Sequence, residues 1–219
     1  MEIKVLKNIL SANDQRAQEN QDLFRRHRIV ALNVTASPGA GKTSLIMATI
    51  KALRDEFRIG VIEGDVSSTI DAKTVDKVGI PVVQINTNGA CHLDATMIAN
   101  AFQNLPIDEL DLLIVENVGN LICPASFALG EHRNILVASV PEGHDKPHKY
   151  PLMFSKSDAV VLNKIDLIPY VDFDRDQFIE AVNGLRDDAR IFEVSCKTRV
   201  GLTEWSEWIA AEIQKERAA

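Results

Sequence analysis

The feature that most constrains this chain is a short stretch near residue 40. An apolar run, Ile29-Val-Ala-Leu-Asn-Val-Thr35, passes directly into Ala36-Ser-Pro-Gly-Ala-Gly-Lys-Thr-Ser44. Leu45, Ile46, Ala48, Thr49, Ile50 and Leu53 then recur at helical spacing between Lys42 and Phe57. Strand, glycine-rich turn and helix in that order are the context of the P-loop, G-x-x-x-x-G-K-S/T. Gly41-Lys42-Thr43 match its end; Ala36 replaces the usual first glycine, while Gly39 and Gly41 still permit the tight turn. Ser37, Pro38, Gly39, Ala40, Gly41, Lys42, Thr43 and Ser44 are therefore read as a phosphate cradle. Backbone N–H groups and the positive end of the helix dipole converge there. Lys42 neutralises the β- and γ-phosphates, and the Thr43 hydroxyl is a ligand for Mg²⁺.

The rest of the chain alternates in the same way. Further strands are predicted at 58–62, 81–85, 112–115, 135–140, 159–162 and 190–194, and helices at 94–102, 174–185 and 202–215. This pattern predicts an α/β fold of three layers, a mostly parallel twisted sheet with helices on both faces. Ligands of such sheets lie at the carboxyl ends of the strands. The polar segment from Ser11 to Arg28 reads as a helix outside the sheet, capped by Ser11 or Asn13. Residues 1–28 are accordingly assigned to an N-terminal helical extension and 29–219 to the nucleotide-binding domain. Few aromatic residues, 5%, suit a core of small branched side chains.

A net charge of −7 argues against a nucleic-acid-binding surface. No apolar run approaches the ~20 residues of a membrane span, and the first residues lack a secretory signal. The expectation is a cytoplasmic protein with no membrane partner. Three cysteines do not make a disulfide framework.

Two further motifs specify the nucleotide. Asn163-Lys-Ile-Asp166 follows an apolar strand and matches N-K-x-D. The Asp166 carboxylate accepts hydrogen bonds from guanine N1–H and the exocyclic amine, a donor pair adenine lacks. Asn163 and Lys164 brace the loop and cover the base, and Ser195-Cys196-Lys197 follows the last strand where a loop contacting guanine O6 is expected. The predicted cofactors are GTP or GDP with Mg²⁺. In Leu112-Leu-Ile-Val-Glu-Asn-Val-Gly119, Glu116 is placed to hold the metal shell and Gly119 to sense the γ-phosphate. Asp65 and Asp71 are candidates to ligate Mg²⁺ or position the attacking water, with helix capping as the alternative.

Cys91-His92 and Cys123 offer two sulfurs and an imidazole, a set suited to Ni²⁺ or Zn²⁺ with an open coordination position. The helix starting near Asp94 is expected to lower the Cys91 thiol pKa. His132, His144 and His148 are read as solvated loop residues, and His27 as a cation at a helix C-terminus.

Together, Ser37–Ser44, Gly89-Ala-Cys-His-Leu-Asp-Ala95, Val115-Glu-Asn-Val-Gly-Asn-Leu-Ile-Cys-Pro124, Glu142-Gly-His-Asp-Lys-Pro147 and Asn163-Lys-Ile-Asp166 resemble the hydrogenase nickel-incorporation GTPases of HypB type. The resemblance implies a SIMIBI-class GTPase that forms a homodimer dependent on nucleotide or metal, with the metal site of Cys91, His92 and Cys123 at the dimer interface. It also implies Glu116 on the Mg²⁺ side and switch acids between Asp65 and Asp71. The implied role is nickel delivery to a hydrogenase large subunit precursor with a HypA-type zinc accessory protein. The amino-terminal Cys-x-x-Cys-Gly-Cys of some members is absent, and Thr96 and Asn100 stand where further histidines would extend the metal site.

A urease accessory GTPase of the same class carries Cys-Pro-His instead. A chaperone switch without metal would leave Cys91 and Cys123 merely buried, and a P-loop kinase would not need Asn163-Lys-Ile-Asp166. No glutamine or arginine finger is visible, so slow hydrolysis is expected. Cys123 lies four residues past Gly119, so nucleotide state is expected to alter metal binding.

Overall fold

A computed structural model describes residues 9–65 and 75–218. Asp71 lies outside the described residues. Seven strands form one sheet: β1 (Val30–Ala36), β2 (Ile59–Asp65), β3 (Val82–Asn86), β4 (Leu112–Glu116), β5 (Arg133–Ser139), β6 (Ala159–Asn163) and β7 (Arg190–Glu193). Their order is β3-β2-β4-β1-β5-β6-β7 and every pairing is parallel. The predicted α/β architecture is therefore observed.

Alternate residues of each strand feed opposite faces. Val30, Leu32 and Val34 join Leu112 and Ile114 on one face, where α2 (Lys42–Leu53) and the C-terminal helix α7 (Leu202–Ala218) pack. Trp205 of α7 is 2% exposed and donates its indole N–H to Thr49 Oγ1 at 2.8 Å, which joins the two helices. On the opposite face, Leu113 and Val115 meet Phe24 of α1 (Ile9–Arg26) and Phe102 of α3 (Ala95–Phe102). Beside them Leu136 and Val160 meet Phe154 and Phe178, from α5 (Pro151–Lys156) and α6 (Arg175–Leu185).

Helix α1 is fastened to the sheet layer by side chains that look solvated in the sequence. Phe24 lies edge-on to Phe102 at 5.0 Å. Asn20 donates to the Ala95 and Leu129 carbonyls, both at 2.8 Å. Neither Ser11 nor Asn13 caps the helix, because the chain is already helical at Ile9. Asn13 instead donates to Ala128 O and accepts the Ala95 N–H. Two short helices not foreseen in the sequence, α4 (Lys146–Lys149) and α5, begin with Pro147 and Pro151 in their first turns, where a missing N–H costs nothing.

The parallel arrangement brings the ends of β1, β2, β4 and β6 to one edge. Ala36, Asp65, Glu116 and Asn163 are consequently neighbours there.

Candidate nucleotide and metal site

The chain leaving β1 turns tightly because Gly39 and Gly41 adopt φ of +78° and +102°, values an L side chain resists. Gly41 is the residue before α2, so the helix amides open onto the loop. The result is a cleft of about 660 Å³ lined by Pro38, Gly39, Gly41, Lys42, Thr43 and Ser44, with Asp65, Glu116, Gly119 and Lys164 opposite. Thr43 Oγ1 donates to Glu116 Oε1 at 2.9 Å. A hydroxyl and a carboxylate facing each other, with Asp65 on the same wall, form a set of hard oxygen donors that suits Mg²⁺. A Cβ on Gly119 would lie 3.2 Å from Pro38 Cγ, so the segment after β4 abuts the phosphate loop. Glu63, which sequence reasoning passed over, is buried on β2 and pairs in register with Glu116.

The base end is built from the edge of β6. Asn163 is 2% exposed; its Nδ2 donates to Ala40 O at 3.0 Å, and its Oδ1 accepts the N–H groups of Lys164 at 2.8 Å and Cys196 at 3.3 Å. One amide side chain thus clamps the phosphate loop, the base motif and the loop after β7. Lys164 sits at φ +62° and lays its ammonium on the Gly39 carbonyl at 2.7 Å. Asp166 Oδ1 accepts the Ser195 hydroxyl at 2.6 Å, and Ser195 Oγ accepts the Thr198 N–H at 3.1 Å. Burial pushes the Cys196 thiol up, opposed by its hydrogen bond with Asn163. Lys197 is exposed. Lys146 reaches the same cleft from another direction: its Nζ lies 3.5 Å from Ser37 Oγ and 3.3 Å from Glu142.

At the other end of the segment after β4, Cys91, His92 and Cys123 converge, with ligand atoms all within 4.8 Å of one another. Cys91 Sγ is 3.6 Å from His92 Nδ1, and the His92 ring stacks on Phe127 at 3.9 Å. Partial burial pushes the His92 pKa down, which favours the neutral imidazole that ligates metals. The expected lowering of the Cys91 thiol is not found. The neighbouring Cys123 sulfur, then burial, push it up. The helix end is already satisfied, because Asp94 accepts the Met97 N–H and Asn13 that of Ala95. Two sulfurs and one imidazole suit a borderline-soft ion, and three donors leave coordination positions open.

Among the described residues no other histidine joins this group. His132 is not solvated: its side chain is only 11% exposed, its Nδ1 accepts the Ala31 N–H at 3.1 Å, and burial pushes its pKa down. It lies at the start of β5, at the opposite edge of the sheet. His144 accepts the Asp174 N–H at 3.2 Å, His148 is exposed, and His27 faces Asp108 at 3.1 Å.

The family described as CobW/HypB/UreG, nucleotide-binding domain, matches residues 30–193. The chain is 41% identical over 204 residues to the hydrogenase maturation factor HypB of Escherichia coli K12, covering 93% of this chain and 70% of that protein. It is 39% identical over 213 residues to the probable hydrogenase maturation factor HypB of Methanocaldococcus jannaschii, covering 97% and 96%. Among solved structures, HypB from Helicobacter pylori in complex with nickel superposes with a TM-score of 0.88 at 38% identity, covering 93% of this chain and 96% of that one.

Proposed function

The chain belongs to the CobW/HypB/UreG nucleotide-binding family, as a hydrogenase maturation factor of HypB type, and from that premise we propose that it is a Mg²⁺-dependent GTPase that carries nickel toward a hydrogenase. The observation that carries this reading is the single segment from Glu116 to Cys123. It faces the phosphate loop at one end and supplies a thiol to a three-ligand cluster at the other. Nickel-bound HypB from Helicobacter pylori supports Ni²⁺ as the cargo. The domain is read as residues 29–219 with α1 docked on it.

Hydrolysis is in-line attack of water on the γ-phosphate. The amides of the phosphate loop and Lys42 stabilise the charge that develops on the phosphate oxygens. When bound, Mg²⁺ supplies positive charge to the β- and γ-phosphates; Thr43, Glu116 and Asp65 are the donors placed to hold it, directly or through water. Asp65 or Asp71 orients the water, and Gly119 follows the loss of the γ-phosphate. Asp166 reads guanine, and Asn163 keeps the base and phosphate ends in register. Among the described residues no arginine lines the cleft, and slow turnover is the expected outcome. The cluster of Cys91, His92 and Cys123 binds Ni²⁺ with an affinity set by the nucleotide. A second copy of the chain, a HypA-type zinc protein and the hydrogenase large subunit precursor are the proposed partners, and Zn²⁺ is the competing ion.

Phosphate release tests the enzymatic half. We expect GTP to be hydrolysed slowly, with loss on chelation of Mg²⁺ and in Lys42→Ala, and ATP to be spared. Hydrolysis of ATP at an equal or higher rate would contradict the assignment.

A further inference from the structure

Two asparagine side chains outside the reaction itself tie the metal loops to the phosphate-facing segment. Asn117 is fully buried at the end of β4. Its Oδ1 accepts the N–H of Leu93 at 3.1 Å and of Val118 at 2.9 Å, while its Nδ2 donates to Asn33 Oδ1 on β1 at 3.1 Å. Asn120 lies nearer the surface. Its Nδ2 donates to the Cys91 carbonyl at 3.1 Å, and its Oδ1 accepts the Ile122 N–H at 2.9 Å. Gly119, the residue packed against Pro38, lies between them.

The Cys91-His92 loop is thus held from both sides by the segment that meets the phosphates, and Cys123 follows Asn120 by only three residues. At its other end the loop starts from Thr87, whose N–H is bonded to the Asp65 carbonyl at 3.0 Å. A shift of Gly119 cannot leave the cluster undisturbed unless these bonds break. Those of Asn117 are buried and costly to lose, whereas that of Asn120 is accessible to water and cheap to exchange.

We propose that Asn117 and Asn120 are positioning residues that set the separation of Cys91 and His92 from Cys123 according to the bound nucleotide. Asn117 is the fixed pivot, and Asn120 is the clamp that closes or opens as Gly119 moves. The inference rests on the nucleotide–metal coupling proposed above and assigns the parts that transmit it.

The test is Ni²⁺ titration of the full chain with GDP and with a non-hydrolysable GTP analogue. It compares wild type, Asn120→Ala, Asn117→Ala and Asn117→Asp, following the thiolate-to-nickel absorption. The readout is the ratio of the two Ni²⁺ affinities, expected at about 5- to 150-fold in wild type. In Asn120→Ala and Asn117→Ala the ratio should fall to within about twofold of one, while a general loss of packing would weaken both affinities and leave their ratio. Asn117→Asp keeps the acceptor for Leu93 and Val118 but not the donor to Asn33 Oδ1, and its ratio should fall with that of Asn117→Ala. Should the buried variants not fold, amide exchange of wild type decides between the same outcomes. Protection of the Ile122 N–H, which the Asn120 Oδ1 accepts, should change with the nucleotide when no metal is present, while that of the Leu93 N–H on the fixed Asn117 should not. A wild-type ratio of one would overturn the coupling and this inference with it. A ratio above fivefold that survives in Asn120→Ala, or Ile122 protection that ignores the nucleotide, would overturn this inference alone.

Discussion

Replacing Asp166 by asparagine isolates the reading of the base. In wild type one carboxylate oxygen accepts the Ser195 hydroxyl at 2.6 Å, and lone pairs remain for two guanine donors, N1–H and the exocyclic amine. Hydrogen bonds to a charged partner contribute about 1.5–3 kcal/mol each, so the pair is worth about 3–6 kcal/mol. At 1.4 kcal/mol per tenfold, Asp166→Asn should weaken GDP binding by about 10²- to 10⁴-fold. The asparagine amide would face the guanine amine donor to donor. Xanthine carries a carbonyl at that position, so XDP should bind the variant better than GDP does. The fold should survive, because the asparagine oxygen still accepts from Ser195. Calorimetric titration of GDP, XDP and ADP into both proteins, with thermal melting as a control, measures this. A GDP loss under about fivefold in a folded variant would show that Asp166 does not read the base. An equal loss for GDP and XDP with a lowered Tm would make Asp166 a buttress of Ser195 and nothing more.

Gly41→Ala should destabilise the protein and abolish nucleotide binding. The left-handed backbone costs about 1–2 kcal/mol, and displacement of Asn163 from Ala40 about 0.5–1.5 kcal/mol, read by denaturant unfolding. Trp205→Ala should cost about 3–5 kcal/mol by the same assay, with GDP affinity in the folded fraction unchanged. Asp111 gives a pH signature. Burial pushes its carboxyl up, but the Arg58 and Arg217 guanidiniums hold it below the ordinary carboxylate range. A lowered folded pKa stabilises above the ordinary value and is lost as pH falls through the lower one. The Tm deficit of Asp111→Asn should therefore be full at pH 7, begin to shrink below about pH 4 and close only once the pH has fallen through the lowered folded pKa. A deficit that persists there would show that the contribution is not ionic.

The central strands were legible because they are buried on both faces and read as apolar runs, as at Leu112–Val115 and Ala159–Leu162. The phosphate loop was legible because glycine and lysine are demanded at fixed offsets by backbone geometry and charge. What stayed hidden is polar chemistry used inside. Asn13, Asn20 and Asn117 look like surface residues, yet each is buried through bonds to distant backbone. The one hint was Asn33, a polar residue within an apolar strand, whose side chain proves to hold Asn117. His132 was misread for the same reason, since the Ala31 amide it bonds lies 101 residues away in sequence. The Cys91 thiol was misjudged because helix polarity was credited while the Cys123 sulfur beside it, which pushes the thiol up, was not counted.

Equilibrium binding of Ni²⁺ to wild type and Cys91→Ala, each with GDP and with a non-hydrolysable GTP analogue, tests the central claim most directly when mass is recorded alongside. The account predicts that wild type binds Ni²⁺ with nucleotide-dependent affinity and that Cys91→Ala loses that site while still binding guanine nucleotide. Ni²⁺ affinity that is the same with both nucleotides, or that survives the loss of Cys91, would contradict it.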